Sequence, residues 1–94
     1  MVQFDWDSNK NQINQIKHGI SFEEASSAFF DDFARITYDP DHSHDEDRFI
    51  LLGMSSLLKL LVVCHCYRDH DNIIRIFSAR KANNRETKQY GDFL

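Results

Sequence analysis

Three runs rich in β-branched and aromatic residues, 48–55, 60–67 and 73–80, follow one another with only short polar breaks between them. Breaks as brief as Ser-Ser-Leu-Leu and Arg-Asp-His-Asp-Asn cannot hold a parallel crossover, which needs a dozen or more residues, so the runs are expected to form an antiparallel meander. A fourth strand is expected over 34–38, ended by the Asp39-Pro40 turn signal. Several strand positions that a purely structural sheet would fill with apolar residues hold Arg48, His65, Arg75 and Arg80 instead.

The N-terminal third has the marks of two helices. Asp7 or Ser8 is a suitable N-cap, Ile13 and Ile16 supply a narrow apolar stripe, and Gly19 after Lys17-His18 is a C-terminal stop, which together predict a helix over 8–18. Ser21-Phe22-Glu23-Glu24 has the form of a capping box, and Phe22, Ala25, Ala28 and Phe29 line one face of a second helix over 22–30. Asn83 or Asn84 can cap a last helix that stops near Gly91. Trp6 is expected to cover the core beside the first helix. The expected architecture is α+β, with two N-terminal helices on an antiparallel sheet of about four strands and a C-terminal helix, forming one domain over 1–94.

The chain carries a net charge of −4, which argues against broad attraction to nucleic acid or to an anionic membrane. Charge is unevenly spread: Asp39 to Asp47 reads DPDHSHDED, whereas Arg75 to Lys88 sets five cations against Glu86 alone. A nucleic-acid surface is therefore expected to be local. No apolar run is long enough to span a bilayer and MVQFDWDSNK lacks a signal core, so no membrane association and a cytoplasmic location are expected. Cys64 and Cys66, two apart in an apolar run, share one strand face and are expected to be reduced, buried and structural. His42 and His44 match no metal-site spacing, and a solvated loop is the favoured reading there.

Pairing the last two strands symmetrically about 69–71 sets His65 opposite Arg75, Val63 opposite Phe77 and Leu61 opposite Ala79. Pairing the strands before them about Leu57-Leu58 sets Ile50 beside His65 and Arg48 beside Tyr67. Arg48, His65, Tyr67 and Arg75 would then form one polar patch, with Ile74, Ile76, Ser78 and Arg80 on the opposite, helix-covered face. Guanidinium groups hold phosphate and stabilise the charge that builds on a phosphorane, while His or Tyr moves a proton, so such a patch suits phosphodiester chemistry. By pattern alone, a lone strand histidine and strand-end arginines are more often structural than catalytic.

Four blocks of residues, in order and over nearly the whole chain, resemble the BrnT-type toxins of bacterial type II toxin-antitoxin systems. They are FDWDSNKNQINQIKHGISFEEASSAF, DPDHSHDEDRFILLGMS, LLVVCH and IIRIFSARKANNRETKQY. The resemblance implies a RelE-like fold and a small endoribonuclease that cleaves RNA, inhibits translation and growth, and needs no metal or other cofactor. It implies attack by a ribose 2′-hydroxyl on the adjacent phosphate, which leaves a 2′,3′-cyclic phosphate and spares DNA. The implied partner is a BrnA-like antitoxin with a ribbon-helix-helix DNA-binding region. It would form a hetero-oligomer around an antitoxin dimer, so that the toxin meets DNA only indirectly.

Within the matched blocks, His65 is expected to handle the proton and Arg75 and Arg80 to stabilise the phosphate. Arg48, Lys81, Arg85, Tyr90, Lys17 and His18 are the expected RNA-binding residues. Lys17 and His18 also suit the negative end of a helix dipole, which nearly accounts for them without RNA. The alternative function is a catalytically degenerate module that binds the antitoxin and acts in promoter co-repression.

Overall fold

The computed structural model describes residues 2–94. Strand β1 (Gln3–Asp5) is followed by helices α1 (Ser8–His18) and α2 (Phe22–Ser27), a 3-10 turn (Ala28–Phe30), and strands β2 (Arg35–Tyr38), β3 (Phe49–Met54), β4 (Leu60–Arg68) and β5 (Ile73–Lys81). Helix α3 (Asn84–Asp92) ends the fold. The sheet order is β1-β5-β4-β3-β2. The meander is antiparallel as expected, but a fifth strand extends it, because β1 pairs in parallel with β5 through Gln3 and Ile73, Phe4 and Ile74, Asp5 and Arg75. Three residues leave too little alternation to be read as a strand from sequence.

The helix ends are built as the local sequence dictates, except that the Ser21 capping box is half made, because the Glu24 carboxylate accepts from Ser55 Oγ at 2.8 Å. Asp7 accepts from the Lys10 amide, Gly19 ends α1 at φ 70°, and Ser21 accepts from the Glu24 amide. The face of α1 that packs inward is not the expected one. Ile13 and Ile16 are 62% and 88% exposed, whereas Asn11 and Asn14 are buried. The Asn14 side-chain amide donates to the carbonyls of Ile20 (2.8 Å) and Ala79 (2.7 Å), and its Oδ1 accepts from the Ala79 amide at 3.1 Å. Asn14 thus pairs with both backbone groups of an edge residue of β5, beyond the point where β1 stops. Asn11 works similarly on the next element, donating to Glu23 and accepting from the Phe22 amide at 2.8 Å. Hydrogen bonds to backbone, not an apolar stripe, seat this helix.

The core lies between the sheet and α2, and unites Ile20, Phe22, Ala25 and Ala28 with Leu51, Leu61, Val63, Ile74, Ile76 and Ala79. Trp6 packs edge-on against Phe22 at 6.1 Å, as a lid over the core. A Cβ on Gly53 would fall 2.8 Å from the Ala28 carbonyl oxygen, so close approach of backbone explains that glycine. On the other sheet face, α3 covers one end through Leu52, Val62 and Tyr90.

Strand register departs from expectation at both hairpins. Phe49, not Ile50, stands opposite His65. The cause is the turn: the Ser55 amide donates to the Lys59 carbonyl, and Leu58 adopts φ 60°, giving a three-residue loop 56–58 centred half a residue earlier than assumed. Between β4 and β5, Val63 opposes Ala79, Cys64 opposes Ser78 and His65 opposes Ile76, with the irregularity leaving Phe77 as an extra residue. His65 therefore does not face Arg75, whose partner on β4 is Cys66. A slip of one residue moves a side chain to the opposite face. His65, with Val63 and Ile76, joins the helix-covered side, while Arg48, Cys64, Arg75, Ser78 and Arg80 belong to the other.

Candidate nucleic-acid groove

The bulge and the seating of α1 create a groove on the sheet face away from α2. Residues 10, 14, 17 and 18 of α1 recur at helical spacing, so the face that brings Asn14 to the β5 edge also brings Lys10, Lys17 and His18 there. They line a cavity of about 430 Å³ together with Asp39, His42, Arg48, Cys64, Phe77 and Arg80. Phe77 is the extra residue of the bulge, and its ring is the floor for two cations. The Arg48 guanidinium lies 3.9 Å and the Lys10 ammonium 5.5 Å from the ring centroid. Stacking on an aromatic face holds a guanidinium in place while leaving its N–H groups free for a phosphate.

Electrostatics within the groove are uneven. Arg80 is held by Glu86 in a two-pronged pair at 2.8 and 3.0 Å, which raises the guanidinium pKa and lowers that of the carboxyl. Glu86 also completes the capping box of α3 with Asn83. Arg48 meets Glu46 only at 3.9 Å. Lys10 and Lys17 have no carboxylate within ion-pair distance among the described residues. Burial pushes the Cys64 thiol up, so that side chain is a neutral wall of the cavity and not a nucleophile.

Of the residues expected from sequence, the groove brings together Lys17, His18, Arg48 and Arg80. The others stand elsewhere. Arg75 pairs with Asp5 across the β1–β5 edge. Lys81 and Arg85 are not part of the cavity lining. Tyr90 is buried, donates to Asp31 at 2.6 Å, and has its pKa pushed up to about 12 by burial and by that carboxylate. It anchors α3.

His65 is fully buried. Its ring meets Phe29 edge-on at 4.8 Å, and its nitrogens lie 3.2 Å from the Val63 carbonyl and 3.2 Å from the Tyr67 hydroxyl. With a carbonyl at Nδ1, that nitrogen carries the hydrogen, and Nε2 accepts from Tyr67. Burial lowers its pKa from the ordinary histidine value. The folded state thus binds fewer protons here than the unfolded chain, so the contribution is intact above about pH 6.5 and declines as pH falls below it. Denaturant unfolding of the wild type and of His65→Phe across pH 5–7.5 is expected to show a shallower acid slope in the variant.

Lys10, Phe77 and Asp39 were not among the sequence candidates, and His42 was weighed there only as a metal ligand. The polar stripe 10, 14, 17, 18 was a visible signal for Lys10. Nothing local marks Phe77, since only the bulge turns it into the groove.

The family model for BrnT, the ribonuclease toxin of type II toxin-antitoxin systems, matches residues 6–86. The chain belongs to the BrnT family. Among solved structures, the crystal structure of the Brucella abortus ribonuclease toxin BrnT aligns with a TM-score of 0.59 and 24% identity, over 89% of this chain and 100% of that one. At that identity the likeness speaks for the fold. No curated protein matches. Membership of the BrnT family places the chain with toxins that have an antitoxin partner, and no helix among the described residues is long and apolar enough to cross a membrane.

Proposed function

We propose that this BrnT-family chain is a metal-independent endoribonuclease that binds RNA in the α1–sheet groove and inhibits translation and growth until an antitoxin neutralises it. One observation carries the reading: a chain of net charge −4 collects Lys10, Lys17, Arg48 and Arg80 with an aromatic platform in one cavity. Side chains of this kind grip the backbone of a single strand by charge and offer a ring on which a base or guanidinium stacks. Arg48 and Lys10 would hold the scissile phosphate and stabilise the charge that builds on it. Arg75, Lys81, Arg85 and Tyr90 contribute no group to this groove. His65 would act from beneath the sheet, as packing under β4, and not by touching RNA.

A BrnA-like, ribbon-helix-helix antitoxin is the proposed partner, through whose dimer the toxin would meet DNA. The pairing of Arg80 with Glu86 favours keeping a second reading, a degenerate toxin that only binds its antitoxin, since that cation is already compensated. Incubation of purified protein with cellular RNA in EDTA separates the two. Cleavage that persists in chelator and falls at least about 100-fold in Arg48→Ala is expected, a loss on the scale of removing one charge-stabilising donor. Intact RNA alongside tight antitoxin binding would leave only the second reading standing, and cleavage restored only by added metal would refute the mechanism.

A further inference from the structure

The DPDHS turn places a histidine and a buried carboxylate at the mouth of the groove. Pro40–His42 forms one 3-10 turn, and His42 Nδ1 lies 2.7 Å from Asp39 Oδ2. Asp39 is buried whereas the His42 side chain is 65% exposed. The backbone that carries Asp39 is fixed: the Asp39 amide donates to the Arg48 carbonyl at 2.8 Å, Ser43 Oγ donates to the Asp39 carbonyl, and the Arg48 amide donates to Ser43 Oγ at 2.9 Å. Both dyad members line the same cavity as Lys10, Lys17, His18 and Arg48.

We infer that His42 is the general base of the RNA cleavage and that Asp39 is its positioning residue, an assignment that rests on the proposed ribonuclease reading. A carboxylate at Nδ1 accepts that nitrogen's hydrogen and leaves the Nε2 lone pair available, the tautomer a base needs. The exposed imidazole sits on the Pro40–His42 turn, which is tied to Arg48 by the Asp39 amide on the Arg48 carbonyl and by the Arg48 amide on Ser43 Oγ, so base and phosphate-holding cation are held together. In the step, Nε2 takes the proton of a ribose 2′-hydroxyl as the 2′ oxygen bonds to phosphorus. The bond from phosphorus to the 5′ oxygen breaks, leaving a 2′,3′-cyclic phosphate. The 5′ oxygen takes a proton from water in the open groove, and the imidazolium returns its proton to solvent.

The test uses the full-length chain, cellular RNA for cleavage, and for binding a short RNA with a 2′-deoxy substitution at a cleaved site. His42→Gln is expected to slow single-turnover cleavage at least 100-fold with RNA affinity within threefold of the wild type, and imidazole is expected to restore part of the activity of His42→Ala. Asp39→Asn should also lose activity without losing affinity, while His44→Gln, two residues away and outside the cavity, keeps the wild-type rate. Should Asp39→Asn fold poorly by thermal melting, the exposed His42 variants decide the matter. Wild-type activity retained within threefold in His42→Gln overturns the assignment and leaves the ribonuclease reading intact. Loss of RNA affinity in step with rate, or no imidazole rescue, makes His42 a binding contact and also overturns it. A wild type that cleaves no RNA removes the ribonuclease reading itself, and the base with it.

Discussion

Asn14→Leu is expected to lower the unfolding free energy by about 3 kcal/mol, the scale of leaving three buried backbone polar groups without this partner. The Ala79 amide and carbonyl both end on this one side chain, and the Ile20 carbonyl shares it. Leucine keeps the branching and the number of side-chain heavy atoms but offers neither donor nor acceptor. Ile16→Ala, on the exposed side of the same helix, is the control and is expected to change stability little. Urea midpoints of the two variants measure the difference. Equal midpoints would mean that α1 is held by something other than its asparagines. Because α1 carries Lys10, Lys17 and His18, the same substitution is expected to weaken RNA binding by loosening one wall of the groove.

Neutralising the groove should have the largest effect on RNA binding. Lys10→Gln, Lys17→Gln and Arg48→Gln combined are expected to make the dependence of log affinity on log salt shallower by about 2, from roughly 0.7 per lost phosphate contact on a single strand. Affinity at low salt should fall by orders of magnitude. The counterpart triple Arg75→Gln, Lys81→Gln, Arg85→Gln removes as much charge from outside the groove, and its salt slope should stay close to that of the wild type. Filter binding with a single-stranded RNA across a salt series distinguishes them. If the second triple moves the slope as much as the first, RNA lies on the C-terminal cations and the groove is not its site.

The contrast between these two sets of cations shows how far a sequence can be read. Helix limits followed from local chemistry, because a cap such as Asp7 or Ser21 and a stop such as Gly19 satisfy backbone groups within a few residues. Four of the five strands and their meander were equally legible, since β-branched runs joined by short polar breaks leave few alternatives. Family membership was also in the sequence, in long blocks whose order and spacing hold over residues 6–86.

Facing was not. Which side of the sheet His65 occupies depends on a loop centre at Leu57 and on one extra residue, Phe77, in β5. Neither leaves a local mark, and side-chain alternation turns each shift of one residue into a change of face. The apolar spacing of Ile13 and Ile16 pointed to the wrong side of α1 for a related reason: asparagine can replace a missing strand partner at a sheet edge, and that use of it exists only once the edge does. By itself the sequence determined every helix and strand except β1, their order and the family. Tertiary structure alone decided which cations meet, because the groove is made by register, a bulge and a sheet edge, all of which are relations between segments far apart in the chain.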